Sequence, residues 1–211
     1  MSAGSVQHPL FARFYTRFSG AMEKEIGRFR AELTAGLRGR VLEVGAGNGM
    51  NFSHYDLGLE EVIAIEPEPY LRARAEEAAA AAAPAITVID GTATDLPIED
   101  RSFDAVVFCL VLCSVGDPAA AVAEARRVLK PGGTVRFLEH VASARPAKAR
   151  FQRFLDSSGI WPRLAGGCTC GRDTVGTIEA AGLRITELRP ITVGPAWGHT
   201  NPHVIGRAGT T

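Results

Sequence analysis

No stretch of the chain approaches the run of about 18 to 20 apolar residues that spans a bilayer. The N-terminus also lacks the basic-then-apolar layout of a secretion signal. A cytoplasmic protein without a membrane anchor is therefore expected. Neither sign of charge is in excess: 23 Lys and Arg balance 23 Asp and Glu, which argues against a broad nucleic-acid surface. Cysteine is sparse. Cys109, Cys113, Cys168 and Cys170 are too few to staple 211 residues, and in a reducing compartment they are expected as free thiols. No C-x-x-C or His-x-x-x-His pair accompanies Cys168-Thr169-Cys170, so no metal is expected. Two thiols one residue apart can also take arsenite or act as a redox pair, but a structural or substrate-lining role is the expectation here. The length suits one domain, residues 1–211, and 46% hydrophobic residues is a globular value.

What is present is an alternation of strand-like and helix-like segments. Residues 8–37 read as helical, broken near Ser19 and Gly20, with Phe11, Phe14, Tyr15 and Phe18 at helical spacing. That stripe either packs on the core or caps a ligand. Strands are expected at 40–44, 62–65, 86–89, 103–110, 134–139, 184–188 and 204–207. Helices are expected at 68–83, 119–129 and 172–181, with a turn at Lys130-Pro131-Gly132-Gly133. Alternating strands and helices imply right-handed crossovers and a mainly parallel sheet. The last two strands have no helical pattern between them and should pair antiparallel.

The first strand ends in Glu43-Val44-Gly45-Ala46-Gly47-Asn48-Gly49-Met50. A dinucleotide turn, G-x-G-x-x-G, would want glycine where Met50 stands. Strand two ends Ile65-Glu66-Pro67, which places an acid to accept hydrogen bonds from ribose hydroxyls. This pair of features suits NAD and S-adenosylmethionine (SAM) alike. Later segments separate them: Gly91-Thr92-Ala93-Thr94-Asp95-Leu96-Pro97, then Ser102-Phe103-Asp104-Ala105-Val106-Val107, then Arg126-Arg127-Val128-Leu129-Lys130-Pro131-Gly132-Gly133. In this order the blocks resemble the class I SAM-dependent methyltransferases.

The resemblance implies an α/β, Rossmann-like sheet of seven strands in the order 3-2-1-4-5-7-6. Strand 7 would be antiparallel, helices would cover both faces, and an N-terminal helical lid (1–37) and a substrate-side insertion (141–171) would flank it. SAM would lie across the carboxyl ends of strands 1, 2 and 4, becoming S-adenosylhomocysteine. Gly45, Ala46, Gly47 and Asn51 would face its methionine part, with Glu43 near the ammonium. Glu66 and Pro67 would meet the ribose, and Gly91, Thr92 and Ala93 the adenine. Cys109 and Leu110 would flank it from strand 4. Many relatives have Asp where this chain has Thr92.

Further stretches are similar to a narrower group, the methyltransferase-like thiol S-methyltransferases, and more distantly to the ubiquinone/menaquinone methyltransferases. These are Gly49-Met50-Asn51-Phe52, Leu110-Val111-Leu112-Cys113-Ser114-Val115, Glu139-His140-Val141, Gly167-Cys168 with Arg172, and Pro202-His203-Val204-Ile205-Gly206. That group acts on small thiols. Its animal members carry an N-terminal hydrophobic anchor, and no such anchor is expected here.

Strand 5 ends, and an antiparallel strand 7 begins, on the cofactor side. His140 and His203 are thus expected side by side at the rim of a substrate pocket, under the loop 190–201 with Trp197 and His199. Either imidazole is a candidate base for a thiol, whose ordinary pKa is about 8.5. Arg163 or Arg172 would lower that pKa. Phe11, Tyr15, Cys113, Trp197 and His199 are the candidate substrate contacts, with His8 a weaker one. Methyl acceptors other than thiols stay open: a phenol, quinol or amine, or arsenite if three cysteines converge. So does SAM binding without transfer.

Overall fold

The computed structural model describes residues 9–194 and 198–210; His8, Trp197 and the side chain of Phe18 lie outside them. The chain runs α1 (Pro9–Thr34), β1 (Arg40–Val44), β2 (Glu61–Ile65), α2 (Pro69–Ala80), β3 (Ile86–Ile89), β4 (Phe103–Cys109) and α3 (Pro118–Val128). It continues with β5 (Leu129–His140), α4 (Pro146–Ser158), α5 (Ile160–Leu164), α6 (Thr174–Ala180), β6 (Leu183–Thr192) and β7 (Pro202–Thr210). The seven strands form one sheet in the order β3-β2-β1-β4-β5-β7-β6, with β7 antiparallel to both neighbours.

The period of two along each strand sorts the core into two layers. On β4, Val106 and Phe108 join α3 residues Val122 and Ala125 and α6 residue Ile178 on one face. Val107 and Cys109 meet α1 residues Ile26, Phe29 and Leu33 on the other. A strand buried on both faces reads as the unbroken apolar run seen in β4. Helix starts are set by short acids and proline. The side chain of Glu68 accepts from Leu71 N–H at 2.7 Å ahead of α2, and Asp117 accepts from Ala120 N–H at 2.9 Å ahead of α3, each with proline at N1.

Three expectations need correction. Helix α1 is not broken at Ser19-Gly20: the Ser19 hydroxyl donates back to Thr16 O at 3.1 Å, and apolar burial on both sides outweighs the cost of about 1 kcal/mol for a helical glycine. The Lys130–Gly133 turn is taken into β5 as an irregularity, where pairing jumps from Phe103↔Leu129 to Ala105↔Thr134. The segment 141–171, for which no helix was expected, holds α4 and α5. Strands β6 and β7 also run longer than their sequence cores, since an antiparallel ribbon extends wherever the backbone groups still pair.

Candidate active site

At the carboxyl end of β1 the backbone turns through left-handed residues Gly45 (φ 71°), Gly47 (φ 59°) and Gly49 (φ 79°). A Cβ on Gly45 would stand 2.6 Å from Val111 Cγ2, so close approach as well as φ demands glycine there. Gly45 and Ala46 N–H both donate to Ile65 O, at 2.8 and 3.0 Å. The Gly47 N–H donates to Glu66 Oε2 at 2.7 Å, and Glu68 N–H donates to Glu66 Oε1 at 3.0 Å. Each Glu66 oxygen thus accepts one backbone donor and keeps a lone pair. Burial raises the pKa of this carboxyl, and the backbone donors oppose the rise.

Behind the turn is a buried polar network. Glu43 accepts from Asn51 Nδ2 at 2.8 Å and from Tyr55 OH at 2.7 Å. Arg30 donates to Asn51 Oδ1 at 2.8 Å and to Cys109 Sγ at 3.1 Å, and its Nε is 3.1 Å from Glu23. Burial pushes Glu43 up to about 7, against the pull of its two donors and of Arg30. Burial also pushes Cys109 up to about 12. Each Glu43 oxygen accepts one protein donor, and Asn51 links this carboxyl to Arg30. Arg30 and Tyr55 were not expected. The available signal was a charged residue set in the apolar stripe Ile26, Phe29, Leu33 of α1.

Helix α1 also brings Tyr15 to the turn, with its Cε1 3.6 Å from where a Gly47 Cβ would project. Phe11 stacks on Tyr15 at 5.7 Å and fills the place a Gly166 side chain would take. Elsewhere around the turn, Pro67 O accepts from Arg72 at 3.2 Å. Gly91 packs so closely on Pro97 and Ile65 that a Cβ would stand 2.8 Å from Pro97 Cδ. Thr92 Oγ1 lies 3.5 Å from Thr94 Oγ1, and Ala93 rests against the core.

The carboxyl ends of β4, β5 and β7 make the second half of the site. Leu110, just past β4, has φ 61°, a left-handed conformation that costs a non-glycine residue about 1–2 kcal/mol and is found where function holds it. The next three N–H groups, of Val111, Leu112 and Cys113, donate to the fully buried Glu139 carboxyl at 2.9, 3.0 and 3.2 Å. Burial pushes Glu139 up to about 7 despite those donors. His140 is the direct register partner of His203, with ring centroids 4.2 Å apart. His203 Nδ1 donates to Asn201 O at 3.1 Å, which leaves Nε2 with its lone pair. Burial lowers His140 to about 3, helped by His203 and His199, and lowers His203 to about 4. Both imidazoles are neutral.

The loop at Cys168 closes against the loop after β4. Thr169 N–H and Oγ1 both donate to Cys113 O, at 2.8 and 2.9 Å. Arg172 donates to Leu112 O at 2.7 Å and Val115 O at 2.5 Å, so it is held by carbonyls rather than offered to a substrate. Cys113, Cys168 and Cys170 pack together with Trp161 and Ala165, while Cys109 belongs to the α1 layer. His199 meets Trp161 edge-on at 4.2 Å, and its carbonyl accepts from Gln152 at 2.9 Å. No helix among the described residues is long and apolar enough to cross a membrane.

A seven-stranded sheet in this order, a glycine turn after β1 and an acid ending β2 define a SAM-dependent methyltransferase, and SAM is its cofactor. Residues 42–137 match the family model described as a methyltransferase domain. The fold is shared with a SAM-dependent methyltransferase from Thermotoga maritima, at a TM-score of 0.70 and 19% identity over 95% of this chain and 98% of that one. The chain belongs to the family of the thiol S-methyltransferases TMT1A and TMT1B. It is 32% identical to human TMT1A over 94% of its own length and 85% of the relative's, and 33% identical to rat TMT1B over 80% and 69%.

Proposed function

We propose that the protein S-methylates a small thiol. The reading rests on the similarity to the thiol S-methyltransferases, which extends over 94% of the chain in the human TMT1A comparison, joined to a desolvated sheet end lined by neutral imidazoles. The glycine turn is shaped to fit SAM. Gly45, Ala46 and Gly47 present backbone to the methionine part, and Arg30 with Asn51 meets its carboxylate and ammonium. The free lone pairs of Glu66 accept the ribose hydroxyls, with Pro67 beside it. Gly91, Thr92 and Ala93 border the adenine, and Cys109 and Leu110 flank the sulfonium. Bound SAM supplies an electrophilic methyl group.

The chain's part is to hold the acceptor sulfur in line and exclude water, which supplies much of the rate in a displacement of this kind. Helix α1 acts as the cap, with Phe11 and Tyr15 over the pocket and Cys113 and His199 on its far wall. His203 Nε2 accepts the acceptor's S–H hydrogen bond, and His140 is its neighbour. The test is incubation with SAM and a panel of alkyl thiols, phenols and amines, reading S-adenosylhomocysteine. Turnover with thiols is expected. Turnover with phenols alone would overturn the thiol reading, and tight SAM binding with no turnover on any class would make the protein a SAM sensor.

A further inference from the structure

A thiol of ordinary pKa near 8.5 is mostly protonated at neutral pH, while the thiolate is the nucleophile. A side-chain cluster at the end of β5 is arranged to supply it. Cys113 Sγ, a ring nitrogen of His140 and Cys168 Sγ all lie within 4.8 Å of one another, and Cys168 Sγ is 3.3 Å from His140 Nδ1. Around a zinc ion, with Zn–S about 2.3 Å and Zn–N about 2.0 Å, tetrahedral ligands stand about 3.5–3.8 Å apart. The cluster needs only small side-chain shifts to meet that geometry.

We propose that Cys113, His140 and Cys168 form a zinc site whose fourth position takes the acceptor thiol as its thiolate. Three features support the site. Its ligands come from the end of β5 and two loops that are already fastened together: Thr169 donates to Cys113 O, Arg172 to Leu112 O and Val115 O, Cys113 N–H to the Glu139 carboxyl, and Thr174 Oγ1 to His140 O. Gly167 lets the strands of this clasp approach, since a Cβ there would stand 2.8 Å from Ser114 O. Two thiolates, a neutral imidazole and a divalent cation sum to zero charge, which suits a site where Cys113 and Cys168 are buried. A Cys₂His set leaves one tetrahedral position open, the layout of a reactive rather than a structural zinc.

The chemistry balances. The acceptor R–SH binds at the open position and its proton passes to water, because a thiol on zinc is deprotonated outright. The sulfur lone pair then forms the new S–CH₃ bond as the sulfonium C–S bond breaks, with that electron pair staying on S-adenosylhomocysteine. The neutral thioether is a weaker ligand and leaves. This step rests on the thiol reading above, whereas the metal site stands without it.

The test is cobalt(II) titration of the metal-stripped full chain, followed by thiolate-to-cobalt charge-transfer absorption. One equivalent per chain with a strong band is expected, shifting when an alkyl thiol is added. The band should be lost in Cys113→Ser and Cys168→Ser and kept, altered, in His140→Cys, which preserves a ligand; S-adenosylhomocysteine binding verifies that each variant is folded. Absence of stoichiometric binding in the wild type would overturn the site, and if the stripped protein still methylates thiols the functional reading survives alone. A band that persists in Cys113→Ser but vanishes in Cys170→Ser would put the ion on the Cys168-Thr169-Cys170 loop and overturn the assignment. Cobalt binding with no spectral response to thiols would overturn the fourth-ligand role while leaving the site.

Discussion

The substitution Glu66→Gln separates two tasks that one carboxylate performs. Its oxygens accept Gly47 N–H at 2.7 Å and Glu68 N–H at 3.0 Å, and the remaining lone pairs are assigned to ribose hydroxyls. Glutamine keeps the shape but turns one oxygen into an NH₂ group. Whichever oxygen it replaces, that group meets a backbone N–H, that of Gly47 or of Glu68. One buried donor is left without its acceptor, which costs about 1–3 kcal/mol of stability. The ribose meanwhile loses a charge-assisted hydrogen bond worth about 1.5–3 kcal/mol. Since 1.4 kcal/mol is tenfold, S-adenosylhomocysteine should bind about 10- to 150-fold more weakly. Calorimetric titration with S-adenosylhomocysteine and thermal melting without it read the two effects separately. A lowered melting temperature with unchanged affinity would show that Glu66 only pins the turn, and would refute its assignment to the ribose.

Gly45→Ala should abolish SAM binding in a folded protein or prevent folding, because its Cβ meets Val111 at 2.6 Å in a left-handed residue; near-normal affinity by titration would contradict the cradle. Glu43, pushed up to about 7 from an ordinary 4.5, keeps its proton in the folded state where the unfolded chain has lost it. The stability this gives is fully present below pH 4.5 and disappears as pH rises through 7, an effect of up to about 3 kcal/mol. Glu43→Gln retains both hydrogen bonds, since the Tyr55 hydroxyl can accept instead of donate. Its advantage over wild type in urea denaturation should therefore grow between pH 4.5 and 7.5, and a constant difference would refute the shift. Arg30→Met strands Glu43, Asn51 and Glu23 around a missing charge. It should cost about 3–5 kcal/mol of stability and weaken SAM binding, and a silent substitution would remove Arg30 from the cofactor site.

Features written in local sequence were legible. The apolar run of β4 and the glycines after β1 act over a few residues, so pattern alone exposes them. The pairing of His140 with His203 was legible at one remove, because strand order and an antiparallel last strand dictate it. Other features were not. Helix α4 buries Ala149 and Gln152 while Phe151 and Phe154 stand exposed, and α5 leaves Ile160 and Leu164 exposed, so their apolar residues do not mark a core face. The supposed break in α1 came from Ser19 and Gly20, whose weak local preference yields to packing along the rest of the helix. The roles of Arg30, Tyr55 and Glu139 depend on which backbone and side-chain groups the fold brings to them. The grouping of Cys113, His140 and Cys168 joins the ends of β4 and β5 to a distant loop, and no spacing rule predicts that.

The first turns of α1 touch both halves of the site. Tyr15 lies on Gly47 of the cofactor turn, and Phe11, stacked on Tyr15, lies on Gly166 at the edge of the loop that bears Cys168. A ligand that orders these turns from either side lowers the cost of ordering them for the other. Thermodynamic linkage makes the effect mutual: whatever factor an acceptor adds to the affinity for SAM, SAM adds to the affinity for the acceptor.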